Sequence, residues 1–345
     1  MTAFSEADGS KLWSQSFQDL KATVNNPPAY SNGRVFAVAG TQGSTAMFGF
    51  DGASGAELFR TLFGASFFKS WFIAPTVFKG AVYTEGGYGS VHSFNALTGA
   101  EKYLAYTGVL GPRVGNWSPA FDNTTLYTYF DHRLQMQDPV SGNLPAILGE
   151  DYDGSFRYMI QSVPVVGAGG TVYGADNNYG PKNQILALNT VDKSVRWSAK
   201  GRYLYNPACG DGYLFAATSF PGKLEARKEL DGAVDWSWTP PADDDEAFTS
   251  EALVTKNLVF ISTRTTTYAI DRSTHLAVWS YKAAGKLALS ANGILYIQSS
   301  SRIVAINLSD LTKMTMRVKA AGATRATKPA VCSDHPAVSF EECCS

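Results

Sequence analysis

Pro75-Thr-Val-Phe-Lys-Gly-Ala-Val-Tyr83, followed by Phe94-Asn-Ala-Leu-Thr-Gly-Ala-Glu-Lys-Tyr103, is the stretch that decides the fold. Its first part enters a strand, turns at small residues and leaves through an apolar strand. Its second part places a turn glycine, Gly99, four residues before an aromatic, Tyr103. Both parts recur along the chain. The first starts again at Pro28, Pro119, Pro164, Pro207, Ala252 and Ala288, so seven copies begin 47, 44, 45, 43, 45 and 36 residues apart. The second recurs as Gly55 with Phe59 and Gly232 with Trp236. Three copies keep the spacing and lose one member: Gly142 with Ala146, Lys193 with Trp197, and His275 with Trp279. A seventh opens the chain, as Gly9 with Trp13, and has no first part ahead of it.

A period of 20–50 residues signals a repeat architecture. Each unit of about 43 residues holds four short strands with alternating polarity, separated by Gly, Asn, Asp and Ser turns, and no helical pattern intervenes. Four-stranded antiparallel units repeated radially are the blades of a β-propeller, in which sheet edges are protected. A solenoid has shorter repeats built differently. The sequence therefore predicts an all-β, seven-bladed propeller. The offset between the two parts predicts ring closure, with an N-terminal outer strand near Lys11–Phe17 pairing with the last blade's three inner strands between Lys286 and Leu308. Residues 1–318 form one propeller domain in this reading, and 319–345 form a Cys-containing tail.

Composition agrees. Of 345 residues, 17% are charged and 13% aromatic, below and above what a solvated helical bundle needs. Twenty-nine Lys and Arg against thirty Asp and Glu leave a net charge of −1, which gives no electrostatic footprint for nucleic acid or for an anionic membrane. No apolar run approaches the ~20 residues of a membrane-spanning helix. Met1 to Trp13 lacks the basic start and apolar stretch of a signal peptide. A secreted or extracytoplasmic location is expected, with the leader already removed, and a cytoplasmic one is the alternative.

The segments Phe94–Tyr103, Ala187–Trp197 and Ala269–Trp279 resemble the tryptophan-docking repeat of the quinoprotein alcohol dehydrogenase-like, or PQQ-like, propellers, across residues 3–308. The resemblance implies architectural roles: the glycine accepts a left-handed turn and the aromatic packs between blades. Relatives that bind pyrroloquinoline quinone are longer and eight-bladed, with a catalytic Asp, a calcium site and a vicinal Cys pair over the quinone. Here the vicinal pair, Cys343-Cys344, lies in the tail outside every repeat. The resemblance thus carries the fold without the cofactor site, and neither PQQ nor calcium is expected. Other relatives are non-enzymatic scaffolds, including some that assist outer-membrane protein assembly.

In a propeller, the connections into the inner strands and the turns between second and third strands share one face, the default binding site. On that face the expected ligand contacts are Lys69, Trp71, Asn116, Trp117, Gln161, Tyr203, Asn206, Glu251 and Arg264. Aromatics interleaved with charges suit a glycan, a peptide or a partner protein. His132, between Asp131 and Arg133, has the look of an acid–base group, and with Arg113, Arg157 and Tyr158 it makes the catalytic set of an alternative enzyme reading. That enzyme would be a quinone-dependent oxidoreductase, or a lyase or hydrolase. HExxH, paired CxxC and Gly-x-Ser-x-Gly are absent, so zinc-protease and serine-nucleophile signatures are missing.

Asp176 and Asn178 are oxygen-rich but lack the spaced ligands of a calcium loop, as does the acidic run Asp243–Glu246. No metal is expected. Cys209 reads as a small buried apolar residue, and Cys332, Cys343 and Cys344 leave their disulfide pairing open. Asn116, Asn123 and Asn307 begin Asn-x-Ser/Thr sequons and are candidate glycosylation sites. The leading expectation is a monomeric binding or scaffold protein that uses one propeller face.

Overall fold

The computed structural model describes residues 1–309 except 21, 23, 42–43, 64–73, 87–89, 107–117, 131–132, 150–162, 177–182, 204, 220–221, 243, 245–246 and 300–301. The fold is all-β, a seven-bladed propeller of four-stranded antiparallel sheets. The helical element among the described residues is one 3-10 turn, Gln18–Leu20. Each blade is an up-and-down sheet in chain order, as in Thr76–Phe78, Ala81–Glu85, Ser90–Asn95 and Glu101–Tyr106. In the first blade the inner position is split into Val24–Asn25 and Ala29–Ser31, both pairing with Arg34–Thr41.

The strand starts explain the repeat. Six inner strands begin at Ala29, Thr76, Ala120, Val165, Ala208 and Leu253, one residue after Pro28, Pro75, Pro119, Pro164, Pro207 and Ala252. Proline has no N–H to donate, so it is suited to the start of an edge strand. The seventh begins at Lys286, two residues before Ala288.

The second part of the repeat is a turn held by its own polar side chain. Asp51, Asn95, Asp138 and Asp271 each accept, through Oδ1, the N–H groups of the residues two and three positions on. The next residue must then turn left-handed. Gly55, Gly99, Gly142 and Gly232 do so at φ of 72 to 75°, where glycine has no steric cost. Lys193 and His275 occupy equivalent places at φ 61°. Each carries a left-handed penalty of roughly 1–2 kcal/mol.

The bare glycine is also a docking plate. A Cβ on Gly232 would lie 2.6 Å from the Trp197 ring, and one on Gly99 would lie 2.2 Å from Phe59. The Trp197 indole donates to the carbonyl of Glu229 at 2.9 Å. Where the glycine is replaced, at His275, the imidazole stacks on Trp236 with centroids 4.7 Å apart. Trp13, Phe59, Tyr103, Trp197 and Trp236 thus each rest on the turn of the next repeat.

Lys11–Ser14 pairs with Thr2–Phe4 in a two-stranded sheet, and Lys286–Leu289, Ile294–Gln298 and Ile303–Asn307 form a three-stranded one. The hairpin reproduces the outer half of a blade. It has the same register shift, at Ala3/Phe4, that other third-to-fourth strand pairs show at Gly49/Phe50, Ser93/Phe94, Ala226/Arg227 and Ala269/Ile270. Trp13 docks on Gly55 and donates to the carbonyl of Gly52 at 3.0 Å.

The chain divides into two compact units. The first comprises Met1–Pro164, Asp176–Asn183 and Thr190–Val195, and the second Val165–Ala175, Gln184–Asn189 and the chain from Arg196 on. In the first, Phe36, Val38, Met47, Phe59, Phe63, Val82 and Phe94 form one core cluster. In the second, Phe215, Leu224, Trp236, Val259, Ile261 and Ile270 belong to another. Strand Ala81–Glu85 is buried at every position, so both faces of its sheet are covered. The low charge of the sequence follows from that. The tail 319–345 lies outside the described residues.

Candidate functional site

The binding-face connections are described best in the second unit. There the chain entering two of the inner strands is bridged to the end of the second strand, which restrains it. Tyr203 bridges to Thr218, and Phe248 bridges to Thr263. The Thr249 hydroxyl donates to the Thr263 carbonyl at 2.8 Å, and the Ser262 N–H donates to the Ser250 hydroxyl at 3.0 Å.

Residues of three other segments meet around Tyr205: Phe248 and Glu251, Arg264, and Lys286. The Lys286 ammonium lies 4.3 Å from the centre of its ring and 3.4 Å from Glu251 Oε2. The Tyr205 hydroxyl donates to the Phe248 carbonyl at 3.4 Å. Burial raises the Tyr205 phenol above its usual range, the Glu251 carboxylate adds to the rise, and the Arg264 guanidinium opposes it. Lys286 and Glu251 keep 46% and 39% of their side chains exposed. Arg264 is exposed at the tip of the Thr263–Thr266 turn.

That turn is fastened from below. Asp244 accepts the hydroxyls of Thr263 at 2.8 Å and Tyr268 at 2.6 Å, both through Oδ2, and that of Thr265 through Oδ1. The N–H groups of Thr265 and Thr266 donate to the Thr263 hydroxyl. Asp244 is the described carboxylate of the acidic run, and its oxygens are occupied by hydroxyls. Asp243, Asp245 and Glu246 lie outside the described residues.

Of the expected ligand contacts, the structure brings Glu251 and Arg264 into this cluster and leaves Asn206 half-buried beside Tyr205. Tyr203 is fully buried among Trp197, Cys209 and Leu214, with its hydroxyl 3.4 Å from Glu225 Oε2. Lys69, Trp71, Arg113, Asn116, Trp117, His132, Arg157, Tyr158, Gln161 and Asn178 lie outside the described residues, as do Cys332, Cys343 and Cys344. Asp176 ends the strand Thr171–Asp176. Asn123 and Asn307 are exposed, and Asn307 caps Ser309. Cys209 is buried and donates its thiol to the Val166 carbonyl at 3.3 Å. Among the described residues no three His, Cys, Asp or Glu side chains converge as a metal site requires.

Sequence reasoning missed Lys286 and Asp244 as parts of one constellation. Lys286 meets Glu251 35 residues away and Tyr205 farther still, Asp244 meets Tyr268 24 residues away, and no repeat motif marks them. It also passed over His92 in the first unit. There the imidazole is buried against Phe63, with ring centres 4.7 Å apart, and Nδ1 lies 2.6 Å from Glu101 Oε1. Burial lowers its pKa, and the Glu101 contact opposes that. The available signal was Glu101 itself, on the strand that pairs with that of His92.

The family model described as outer membrane protein assembly factor BamB matches residues 1–237 and 151–313. Among solved structures, BamB from Moraxella catarrhalis superposes with a TM-score of 0.68 at 16% identity, over 86% of this chain and 88% of that one. A europium-containing methanol dehydrogenase does so at 0.58 and 13%, over 86% and 78%. The quinohemoprotein alcohol dehydrogenase from Comamonas testosteroni gives 0.62 and 12%, over 82% and 65%. Curated proteins contain no match. At these identities the solved structures establish the shared propeller, and the family match over most of the sequence establishes descent. The chain belongs to the PQQ-like repeat propellers of the BamB family.

Proposed function

We propose that the chain is an extracytoplasmic binding scaffold, which engages a partner protein through the face formed by its inner-strand connections. The observation that carries this reading is the cluster of Tyr205, Glu251, Arg264 and Lys286. It joins an aromatic anchor to half-exposed charges on rigid connections, the mixture found where protein interfaces concentrate their binding energy. The family match to an outer membrane protein assembly factor supports a protein as the partner. The alternative is a quinone-dependent oxidoreductase.

The test is site-specific photo-crosslinking in cells, with the crosslinker placed at Asn206 or Arg264 on the face and at Val234 on an outer strand. The same protein adduct from both face positions and none from Val234 is expected. Equal adducts from all three, or none from the face, would overturn the scaffold reading. Adding PQQ with calcium to the purified chain and finding a stoichiometric absorbance change would favour the oxidoreductase instead.

A further inference from the structure

We propose, independently of the scaffold reading, that the seam between the second and third blades is a binding site for ordered water, which bridges the Ser93 hydroxyl and the Gln137 carboxamide. The repeat supplies an apolar counterpart for comparison. Between the first and second blades Phe36, Phe59, Phe94 and Ala96 belong to one apolar cluster, and Gly49 lies against the Phe59 ring. One repeat later the same places hold Tyr83, Tyr103, Gln137 and Pro139, and Ser93 stands where Gly49 stood. Four polar side chains have entered one seam together.

The strand pairings turn those groups toward one another. Leu126, the cross-strand partner of Gln137, packs in one cluster with Ala81, Tyr83 and Val91, and Tyr103 lies against it. Directly paired residues share a face of their sheet, so Gln137 points at the second blade. Ser93 lies opposite Tyr83 on one side and Tyr103 on the other, and it points with them at the third blade. Both phenols donate there to the Pro139 carbonyl, at 2.9 and 3.1 Å, two residues beyond Gln137. Burial raises the pKa of both phenols and the Ser93 hydroxyl opposes the rise, as a near neighbour of each would.

Donors and acceptors name the occupant. Ser93 and Gln137 are 0% and 1% exposed. Among the described residues, Ser93 Oγ, Gln137 Oε1 and Gln137 Nε2 have no hydrogen-bond partner. Buried polar groups left so carry their full desolvation penalty, and native structures pair them. The phenol protons are committed to Pro139, so the phenol oxygens accept, the amide both donates and accepts, and the Ser93 hydroxyl does either. A cation would meet the amide N–H groups, and an anion would meet the oxygen lone pairs. A small neutral molecule that donates and accepts suits the whole set, and a buried water making about three hydrogen bonds is such a molecule.

The experiment uses the full chain with Ser93→Ala, Gln137→Leu and their combination, which install the residue types that Ala187 and Leu188 provide at the equivalent places. Oxygen-17 magnetic relaxation dispersion counts long-lived internal waters, and the double variant is expected to hold fewer than wild type. Urea unfolding reads the bridge. Each single substitution should raise the unfolding equilibrium constant about tenfold, the scale of one buried polar group left without a partner. The double variant should raise it by clearly less than the product of the two, since neither partner then remains. Wild type gives a reading that depends on no variant folding: with 15N-labelled glutamine, the Gln137 side-chain amide protons should cross-relax directly with water. Equal water counts in wild type and double variant, fully multiplicative penalties, or a Gln137 amide silent to water would each overturn the site. A direct Ser93–Gln137 bond would keep the coupling and lose the other two readings, which overturns it as well.

Discussion

Gly232→Ala puts the docking account of the propeller to a quantitative test. Gly232 sits at φ 73° and faces the Trp197 ring, which a Cβ would approach to 2.6 Å at both Cδ2 and Cε3. Two costs follow. The left-handed conformation penalises any residue with a Cβ by roughly 1–2 kcal/mol, and forcing a methyl against a seated ring adds about 1–3 kcal/mol of overpacking. Gly212 provides the control. It has φ 78° with nothing within 4 Å of the added atom, so Gly212→Ala should show only the first cost. The difference between the variants, about 1–3 kcal/mol, is then the docking contact alone. Urea unfolding followed by tryptophan fluorescence and by circular dichroism reads both. In a Trp197→Ala background the ring is gone, and the penalty of Gly232→Ala should fall to that of Gly212→Ala. If the two alanine variants agree to within about 0.5 kcal/mol in the wild-type background, less than the overpacking range, the glycine is needed for its backbone alone and the docking argument fails.

Two further outcomes are expected from buried polar groups. Burial holds the His92 pKa below its ordinary 6.5 in the folded chain, so the folded state binds fewer protons than the unfolded one. Stability is therefore present above pH 6.5 and is lost as pH falls through the folded value; His92→Phe should flatten the melting temperature between pH 8 and 5, and an unchanged slope would remove His92 as its source. Arg272 donates to the carbonyls of Thr255, Lys256 and Gly210 and to Asp211, and it stacks 5.2 Å from the Phe215 ring centre. Arg272→Ala should cost about 2–3 kcal/mol by urea unfolding, since hydrogen bonds to a charged group are stronger than neutral ones. Arg272→Lys should restore less than half of that, because an ammonium cannot reproduce the planar fork.

The repeat was legible because its causes are local. Pro75 precedes the strand at Thr76, and Asn95 folds its own carboxamide onto Leu97 and Thr98, so that Gly99 must turn left-handed. Even degenerate copies carry the signal: Lys193 and His275 adopt the glycine conformation in positions identified by spacing alone. Thr2–Trp13 reads as a second block in sequence, and it folds as one: Lys11–Ser14 pairs with Thr2–Phe4 in a hairpin with its own bulge.

What the sequence determined by itself is the all-β class, the seven blades, their boundaries and the role of each turn, since alternation, turn chemistry and period act between residues fewer than about ten apart. What only the tertiary structure decided is which polar side chains meet. Tyr203 and Tyr205 are two residues apart on one connection, yet one is sealed in the core and the other carries Lys286 on its ring. Asp244 reads as part of a solvated acidic run and is found fastening the turn that bears Arg264. Lys286 and Tyr205 belong to different repeats, and no period in the sequence relates them. Their meeting depends on how successive blades place their connections, a long-range consequence of packing that local pattern cannot encode.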